Sequence, residues 1–556
     1  MDILLRGTFI IETRAEISPV PGLTKGSTLS SRRTPGDARV GPDGACGWPR
    51  EHLGRYPTAD SRSLMKILMV NLSFLPDSLG GTEVYTYNLS RALIAAGHDV
   101  SVFTSLDDPS ASRYELKRSV LEGIRVAKVV NAPRQARKFT DYFMDATVER
   151  VFEEAIREER PDIIHFQHLA YLSGAMPEVA SREGVPSILT LHDYWYLCRR
   201  SHLVRPGVGI CGGPRGGAHC ATCHDTANPG AFFVSPADVR NLGDTIRRWL
   251  AWARQRLSAG QRSLGIKRSP DDAKRGQIDT PRWIARSDEE DRSRVEERVD
   301  PVMLAENTHR HEFFLRQLRF PAVLLSPSEY LRARYEAEGF PPVSVLPLGF
   351  PPCEPAVSMP FGGKLRVAFI GNMLRTKGPH VILRELEDLA RSDKVEVHLH
   401  GWSLDEAYLA ELQAAVDLYP AGTAWLHGPY RGELELERIL AEVHLTIFPS
   451  LWEENYPLVV REALIRGVPV VGSTYGGVRE AIKTGVNGLL FDPRQEGDLS
   501  RTISQIVERP EWLEELRTGA RQTEIETQDA HVGKLLDIYA SVARSERAEH
   551  DAGTLP

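Results

Sequence analysis

Residues 449–491 read PSLWEENYPLVVREALIRGVPVVGSTYGGVREAIKTGVNGLLF. Three short β-branched runs punctuate this stretch: LTIFPS leads into it, VPVVGS lies within it and GLLF ends it. Between the first two a helix is expected to begin near Pro457. Short apolar strands alternating with helices are the mark of βαβ units in a parallel sheet. The same rhythm extends upstream through LRVAFIGN and VEVHLHG, with helices such as HVILRELEDLA and ERILAEV between strands. A second series begins at Lys66 with KILMVN, TEVYTYNLSRALIAAG, DVSVFTS, DIIHFQH and PSILTLHD, and resumes at AVLLSPSEYLRARYEAEG and VSVLPLG. In TEVYTYNLSRALIAAG, Val84, Leu89, Leu93 and Ile94 form one helical stripe, and Gly97 caps its end. The expected fold is therefore α/β, with two Rossmann-like parallel-sheet lobes facing across a cleft. Ligands belong beyond the carboxyl ends of such strands.

Domain limits follow from where the rhythm breaks. Residues 1–64 are expected to be a disordered extension, since 17–63 are rich in Pro, Gly, Ser, Thr and Arg without apolar period; Met65 is a candidate natural start. Residues 65–345 form the first lobe, which carries a cysteine cluster at 198–223 and a helical and flexible insertion at 224–318. The second lobe covers 346–525, followed by a C-terminal helix and tail at 526–556. Length alone suggests two to four domains. The formal net charge of −7 disfavours a nucleic-acid coat. No apolar run reaches 18 residues, and the amino terminus interleaves Asp2, Arg6, Glu12, Arg14 and Glu16, unlike a secretory signal. A cytoplasmic location is the resulting expectation.

Within the opening stretch, Glu454 and Glu462 flank the expected helix start. A helix N-terminus exposes unpaired N–H donors and a positive partial charge, which suits a diphosphate. An acid on either side of it can grip hydroxyl groups. Two lone glutamates would more commonly favour the dipole and nothing else. The full context resembles glycosyltransferase family 4, the retaining group 1 enzymes of GT-B fold. The matching residues are Pro449, Ser450, Trp452, Glu454, Asn455, Pro457, Leu458, Glu462, Ala463, Gly467, Pro469, Val470, Val471, Gly476, Gly477 and Glu480.

That resemblance, over roughly 66–545, implies that Glu454 contacts the donor sugar and Glu462 the ribose. It implies that the backbone at Tyr456, Pro457, Leu458 and Val459 meets the diphosphate, with Asn455 among the donor-binding residues. In LGGTEVY, Gly80 and Gly81 would cover the donor phosphates. GNMLRTKG is similar to a family motif whose lysine, here Lys377, neutralises the leaving diphosphate. Asn372 stands where the family has arginine, and Arg375 is the candidate replacement. His192, after SILTL, would touch the sugar hydroxyls, with Asp193 orienting it or contacting the acceptor. The implied reaction moves a hexose-type sugar from a nucleotide-diphosphate sugar to a glycan or lipid-linked acceptor, with retention, in surface polysaccharide or glycolipid assembly. No cofactor is expected for catalysis, and no Asp-x-Asp occurs, so metal-independent chemistry is expected.

Cys198, Cys211, Cys220 and Cys223 fall in one window with a single Cys-x-x-Cys pair. Structural zinc, free thiols and disulfides are the alternatives. A basic amphipathic helix at 237–257, with Trp249, Trp252, Arg247, Arg248, Arg254 and Arg256, would either pack on its own lobe or make peripheral contact with the inner face of an anionic membrane. Two rival functions remain: a GT-B sugar-nucleotide epimerase, which the two-glutamate block fits less well, and a zinc-containing nucleic-acid-binding protein, which the acidic charge disfavours.

Overall fold

The computed structural model describes residues 64–553 except 79, 132–137, 206–208, 222, 224–300, 357–358, 404 and 431. Residues 1–63 of the expected extension at 1–64, and the basic helix at 237–257, lie outside the described residues. Two sheets organise the rest. The first has eight strands in the order β10-β9-β6-β5-β1-β2-β4-β3. These are β1 (Lys66–Asn71), β2 (Asp99–Leu106), β3 (Leu116–Leu121), β4 (Ile124–Val130), β5 (Ile163–Phe166), β6 (Ser187–Thr190), β9 (Val323–Ser326) and β10 (Val343–Val345). All pair in parallel except β3, which runs antiparallel to β4. A separate two-stranded ribbon joins β7 (Val204–Arg205) to β8 (Gly209–Ile210).

The second sheet is wholly parallel, in the order β13-β12-β11-β14-β15-β16. Its strands are β11 (Leu365–Ile370), β12 (Val395–His400), β13 (Ala424–His427), β14 (Leu445–Phe448), β15 (Val470–Ser473) and β16 (Gly488–Phe491). Both sheets are covered on two faces, as the period of two along a strand allows. In β1, Leu68 and Val70 enter one core cluster while Ile67 and Met69 enter another. In β11, Val367 and Phe369 face one cluster, and Ala368 and Ile370 face the other.

The strand order has consequences for ligands. It reverses between β1 and β5 in the first sheet and between β11 and β14 in the second. Loops leaving such neighbouring strands diverge and open a crevice. Lys377 follows β11 and Glu454 follows β14, while the Gly80-Gly81 loop, Gln167 and His192 follow β1, β5 and β6.

Six helices matter for the site: α1 (Gly81–Ala95), α2 (Pro301–Gln317), α3 (Glu329–Ala337), α4 (Pro379–Arg391), α5 (Leu458–Ile465) and α6 (Gln528–Gly553). Helix α2 occupies the end of the stretch expected as a helical and flexible insertion. It buries Phe313 and Phe314 in the first lobe's core. Helix α6 follows the second lobe in sequence but packs on the first, where Val532, Leu535, Leu536, Tyr539 and Val542 complete a core face. Two buried polar pairs fix it there, His165 Nδ1 with Tyr539 Oη at 2.7 Å and Tyr85 Oη with His531 Nε2 at 2.7 Å. Among the described residues, no helix is long and apolar enough to cross a membrane.

Tyr539→Phe should strand the buried His165 nitrogen and lower stability by roughly 1–3 kcal/mol, read as a lower urea midpoint. Burial also holds His165 well below its ordinary pKa and drives His380 to about 3 and His531 to about 4. Such groups stay neutral when folded, so the unfolded chain binds more protons below the ordinary histidine value. Their stabilising contribution is complete above pH ~6.5 and is lost as pH falls toward the depressed values. Glu433, raised by burial to about 7, works in the opposite direction. The urea midpoint should therefore fall between pH 7 and pH 5 (roughly the window of the ordinary histidine value), and less steeply in His380→Gln; an unchanged midpoint contradicts this reading.

Candidate active site

The loop between β14 and α5 folds around one carboxylate. Glu454 is 5% exposed. Its Oε1 accepts hydrogen bonds from Ser450 Oγ at 2.8 Å, Trp452 Nε1 at 2.7 Å and Lys377 Nζ at 2.5 Å. The ammonium of Lys377 also lies 5.3 Å from the centre of the Trp452 ring, a cation–π distance. A carboxylate this buried needs such partners, because an unpaired buried charge is strongly unfavourable. The loop after β11 is stitched to the same place, with Leu451 N donating to Thr376 O at 2.7 Å. Gly378 adopts φ +72°, and a Cβ there would meet Pro449 O at 2.2 Å. Pro379 then starts α4 with its fixed φ.

Behind Glu454, Gly477 N donates to Glu454 O at 2.6 Å. A Cβ on Gly476 would stand 2.3 Å from Glu454 O, and one on Gly477 would stand 2.0 Å from Asn455 O. The pair of glycines therefore lets backbone press on backbone and sets the height of the 453–455 loop. Helix α5 starts immediately beyond, with Pro457 at its N-cap and no side-chain cap. Its first N–H groups keep their donors for a ligand. Across from it, a Cβ built on Gly81 would lie 3.5 Å from the Leu458 side chain, so the glycine loop after β1 faces the start of α5. Glu462 lies in α5 beside Arg466, which donates to Glu462 O at 3.0 Å and pairs with Glu433. Burial raises the Glu462 carboxyl and Arg466 opposes the rise.

The two lobes meet at this loop. Asn455 Nδ2 donates to His192 O at 3.1 Å, and Tyr194 Oη donates to Glu453 O at 3.0 Å. Glu480 accepts from the backbone N–H groups of Glu329 at 3.2 Å and Tyr330 at 2.5 Å. The acid of the Gly-Gly-x-x-Glu pattern thus sits on the N-terminus of α3, where the helix dipole favours it. His192 Nε2 shares a hydrogen bond with Gln167 Oε1 at 2.8 Å, and Tyr85 packs on its ring at 5.2 Å. Burial, with His168 adding to it, lowers the His192 imidazole to about 3, so it is neutral at physiological pH. Ala170 N donates to His168 Nδ1 at 3.1 Å, which leaves His168 Nε2 to donate to Asp193 Oδ2 at 3.1 Å. Burial works against the Asp193 carboxylate, but His168 and the Trp195 N–H hold it below the ordinary range.

Glu454, Lys377, Asn455 and His192 therefore converge, with Gly81 facing Leu458 beside them. Arg375 does not join them: its guanidinium reaches both oxygens of Glu411 at 2.7 Å and lies 4.5 Å from the Tyr408 ring. Asn372 is exposed on the same loop. Gln167, Tyr194 and the capping role of Glu480 escaped the sequence reading. For Gln167 a signal existed, since DIIHFQH places it at the carboxyl end of β5.

Elsewhere, Cys198, Cys211, Cys220 and Cys223 are buried free thiols lining one small cavity. A second cluster joins His398 and His400 of β12 to His427 of β13, whose ligand atoms lie within 4.8 Å of one another. Their rings are stacked, His400 on His427 at 4.2 Å and 6°.

Comparison with known proteins extends these observations. Residues 355–523 match the model of the glycosyl transferases group 1, and residues 79–259 match that of Glycosyltransferase Family 4. A D-inositol 3-phosphate glycosyltransferase of Streptosporangium roseum is 30% identical over 183 residues, covering 31% of this chain and 41% of the relative. The enzyme of that name from Thermomonospora curvata is 33% identical over 113 residues, covering 20% and 26%. The chain thus spans less than half the length of these curated relatives. A sucrose-phosphate synthase from Thermosynechococcus elongatus superposes with a TM-score of 0.55 at 15% identity, over 86% of this chain and 100% of that one. Anabaena HepE in complex with UDP and glucose gives 0.51 at 15% identity, over 86% and 100%. At such identities the likeness is one of fold. With both lobes matched by the two models and the paired sheets on the page, the chain belongs to the group 1, family 4 glycosyltransferases and has their GT-B fold.

Proposed function

We propose that this protein transfers a hexose-type sugar from a nucleotide-diphosphate sugar to a glycan or lipid-linked acceptor, with retention of anomeric configuration. The observation that carries this reading is the pairing of buried Glu454 with half-buried Lys377 just before α5, whose first residue, Leu458, faces Gly81. In the proposed mechanism Glu454 holds the donor sugar, Glu462 the ribose, and the backbone N–H groups of Tyr456, Leu458 and Val459 the diphosphate. Gly80 and Gly81 let the opposite backbone approach the phosphates. The bond between the anomeric carbon and the phosphate oxygen breaks as the acceptor oxygen bonds to the same face. The acceptor proton passes to the departing phosphate, whose charge Lys377 offsets. Neutral His192 orients the sugar hydroxyls, and Asp193, tied to His168, faces the acceptor side.

Positioning and charge stabilisation do the catalysis in this scheme, and no metal takes part. Arg375, bound to Glu411, reaches the phosphates only by leaving that partner. HepE, named with UDP and glucose, makes a UDP-sugar the first donor to try. We place the work at the inner face of the membrane, in surface polysaccharide or glycolipid assembly. A structural zinc ion on the four cysteines belongs to the same proposal and stands apart from the chemistry. The epimerase alternative is separated by mass spectrometry of the donor with no acceptor present.

Lys377→Ala should lower kcat/KM by roughly 10²–10³-fold in steady-state transfer assays. Glu462→Gln should raise the donor KM about tenfold with kcat retained, the pattern of lost uniform binding. A thermal-shift series over UDP-, GDP- and ADP-sugars should show one donor raising Tm; a series with no response would sink the proposal.

A further inference from the structure

The four cysteines come from three short segments with little regular structure of their own. Cys198 ends the loop that leaves β6, Cys211 follows the two-residue strand β8, and Cys220 and Cys223 lie in and just after the helical turn Ala218–Ala221. Segments this short do not hold one another in place by packing alone. All four cysteines line one cavity of about 10 Å³, whose other walls include Leu197, Leu203, Val204 and Pro214. That is space for a single ion.

Two further observations favour a metal there. Arg200 N donates to Cys198 Sγ at 3.4 Å, the backbone-to-sulfur bond that stabilises a thiolate. Arg199, Arg200, Arg205 and Arg310 are all buried, and Arg199 and Arg205 line the same cavity as the cysteines. Four thiolates on one divalent ion leave a net negative charge, and a buried charge of that sign requires cations around it. The histidine cluster at β12 and β13 is the weaker candidate despite its closer ligand atoms. A metal must lie in the plane of each imidazole that binds it, and rings stacked at 6° cannot share one. The sulfurs are set wider than the histidine nitrogens and would have to draw together to reach Zn–S distances of about 2.3 Å.

The position of the cluster gives it a task. Cys198 N donates to Tyr194 O at 2.6 Å. Tyr335 Oη donates to Asp193 O at 2.7 Å, Arg310 donates to Trp195 O, and Arg334 donates to Cys211 O at 3.2 Å while its Nε lies 3.8 Å from Glu453. The loop carrying His192 and Asp193 is therefore anchored at its far end by Cys198. We propose that Cys198, Cys211, Cys220 and Cys223 form a tetrathiolate zinc clamp that holds the 192–198 loop in its working position. It follows that sugar transfer depends on the metal whereas nucleotide binding by the second lobe does not. This rests on the transferase reading only for the activity it controls.

The test uses the full chain, purified without a metal-affinity tag. Elemental analysis should find about one zinc per chain, reduced in a Cys220→Ser/Cys223→Ser variant. Stripping zinc from the folded wild type with a chelator should accelerate hydrogen exchange of residues 192–198 and lower kcat for transfer about tenfold or more. Added zinc should restore both, and the affinity for the nucleoside diphosphate alone should be unchanged throughout. Chelation of the wild type keeps the test valid if the double variant does not fold. Protein free of zinc, or exchange of 192–198 indifferent to its removal, overturns the clamp. Zinc present and exchange responsive in a chain that transfers no sugar would uphold the clamp and overturn the transferase reading instead.

Discussion

The site depends on a carboxylate that cannot stand alone. Glu454 is buried at the mouth of a cleft, and three donors from two loops meet on one of its oxygens. The constraint is electrostatic, and its effects are geometric. Ser450 and Trp452 come from the Glu454 loop itself, so the loop must coil back around the carboxylate. Lys377 comes from the loop after β11, so that loop must lie against the first, which Gly378 allows. The backbone of residues 454 and 455 must then rest on Gly476 and Gly477, where any side chain would collide. A motif spread over some thirty residues is in this sense the packing requirement of one charged group.

The lobes touch where this constraint is strongest. Asn455 and Glu453 flank the carboxylate, and each reaches a residue of the His192–Tyr194 loop in the first lobe. Glu480, beyond the two glycines, caps α3 from the other side of the cleft. The residues that fix Glu454 thus also fix the distance between the lobes. Hydrogen bonds of this kind are individually worth about 1 kcal/mol.

Much of this was legible in the sequence, and the boundary is instructive. Strands, helix starts and the order of the lobes are local properties, carried by apolar period and by Gly and Pro. The glutamates and glycines of 449–491 were legible because their spacing within one segment reflects one turn of the chain. Arg375 was not, because the decision between the phosphate side and Glu411 is made by a helix thirty-six positions later. The return of α6 to the first lobe was invisible for the same reason: an amphipathic helix shows that it has an apolar face, and nothing in it states which sheet that face covers. The histidines of β12 and β13 meet only through the register of two strands, His400 opposite His427.

That returning helix bears on how the chain is made. Val532, Leu535, Leu536, Tyr539 and Val542 follow the whole second lobe in the chain, yet they finish a core whose strands begin at Lys66. A vectorially synthesised protein folds its first domain early. Here the first lobe has to wait, with Ile67, Met69 and Leu93 uncovered, until the entire second lobe has been translated and the tail can reach back. A nascent chain that stops short of Val542 leaves that core face incomplete, and α6 is the element that closes it.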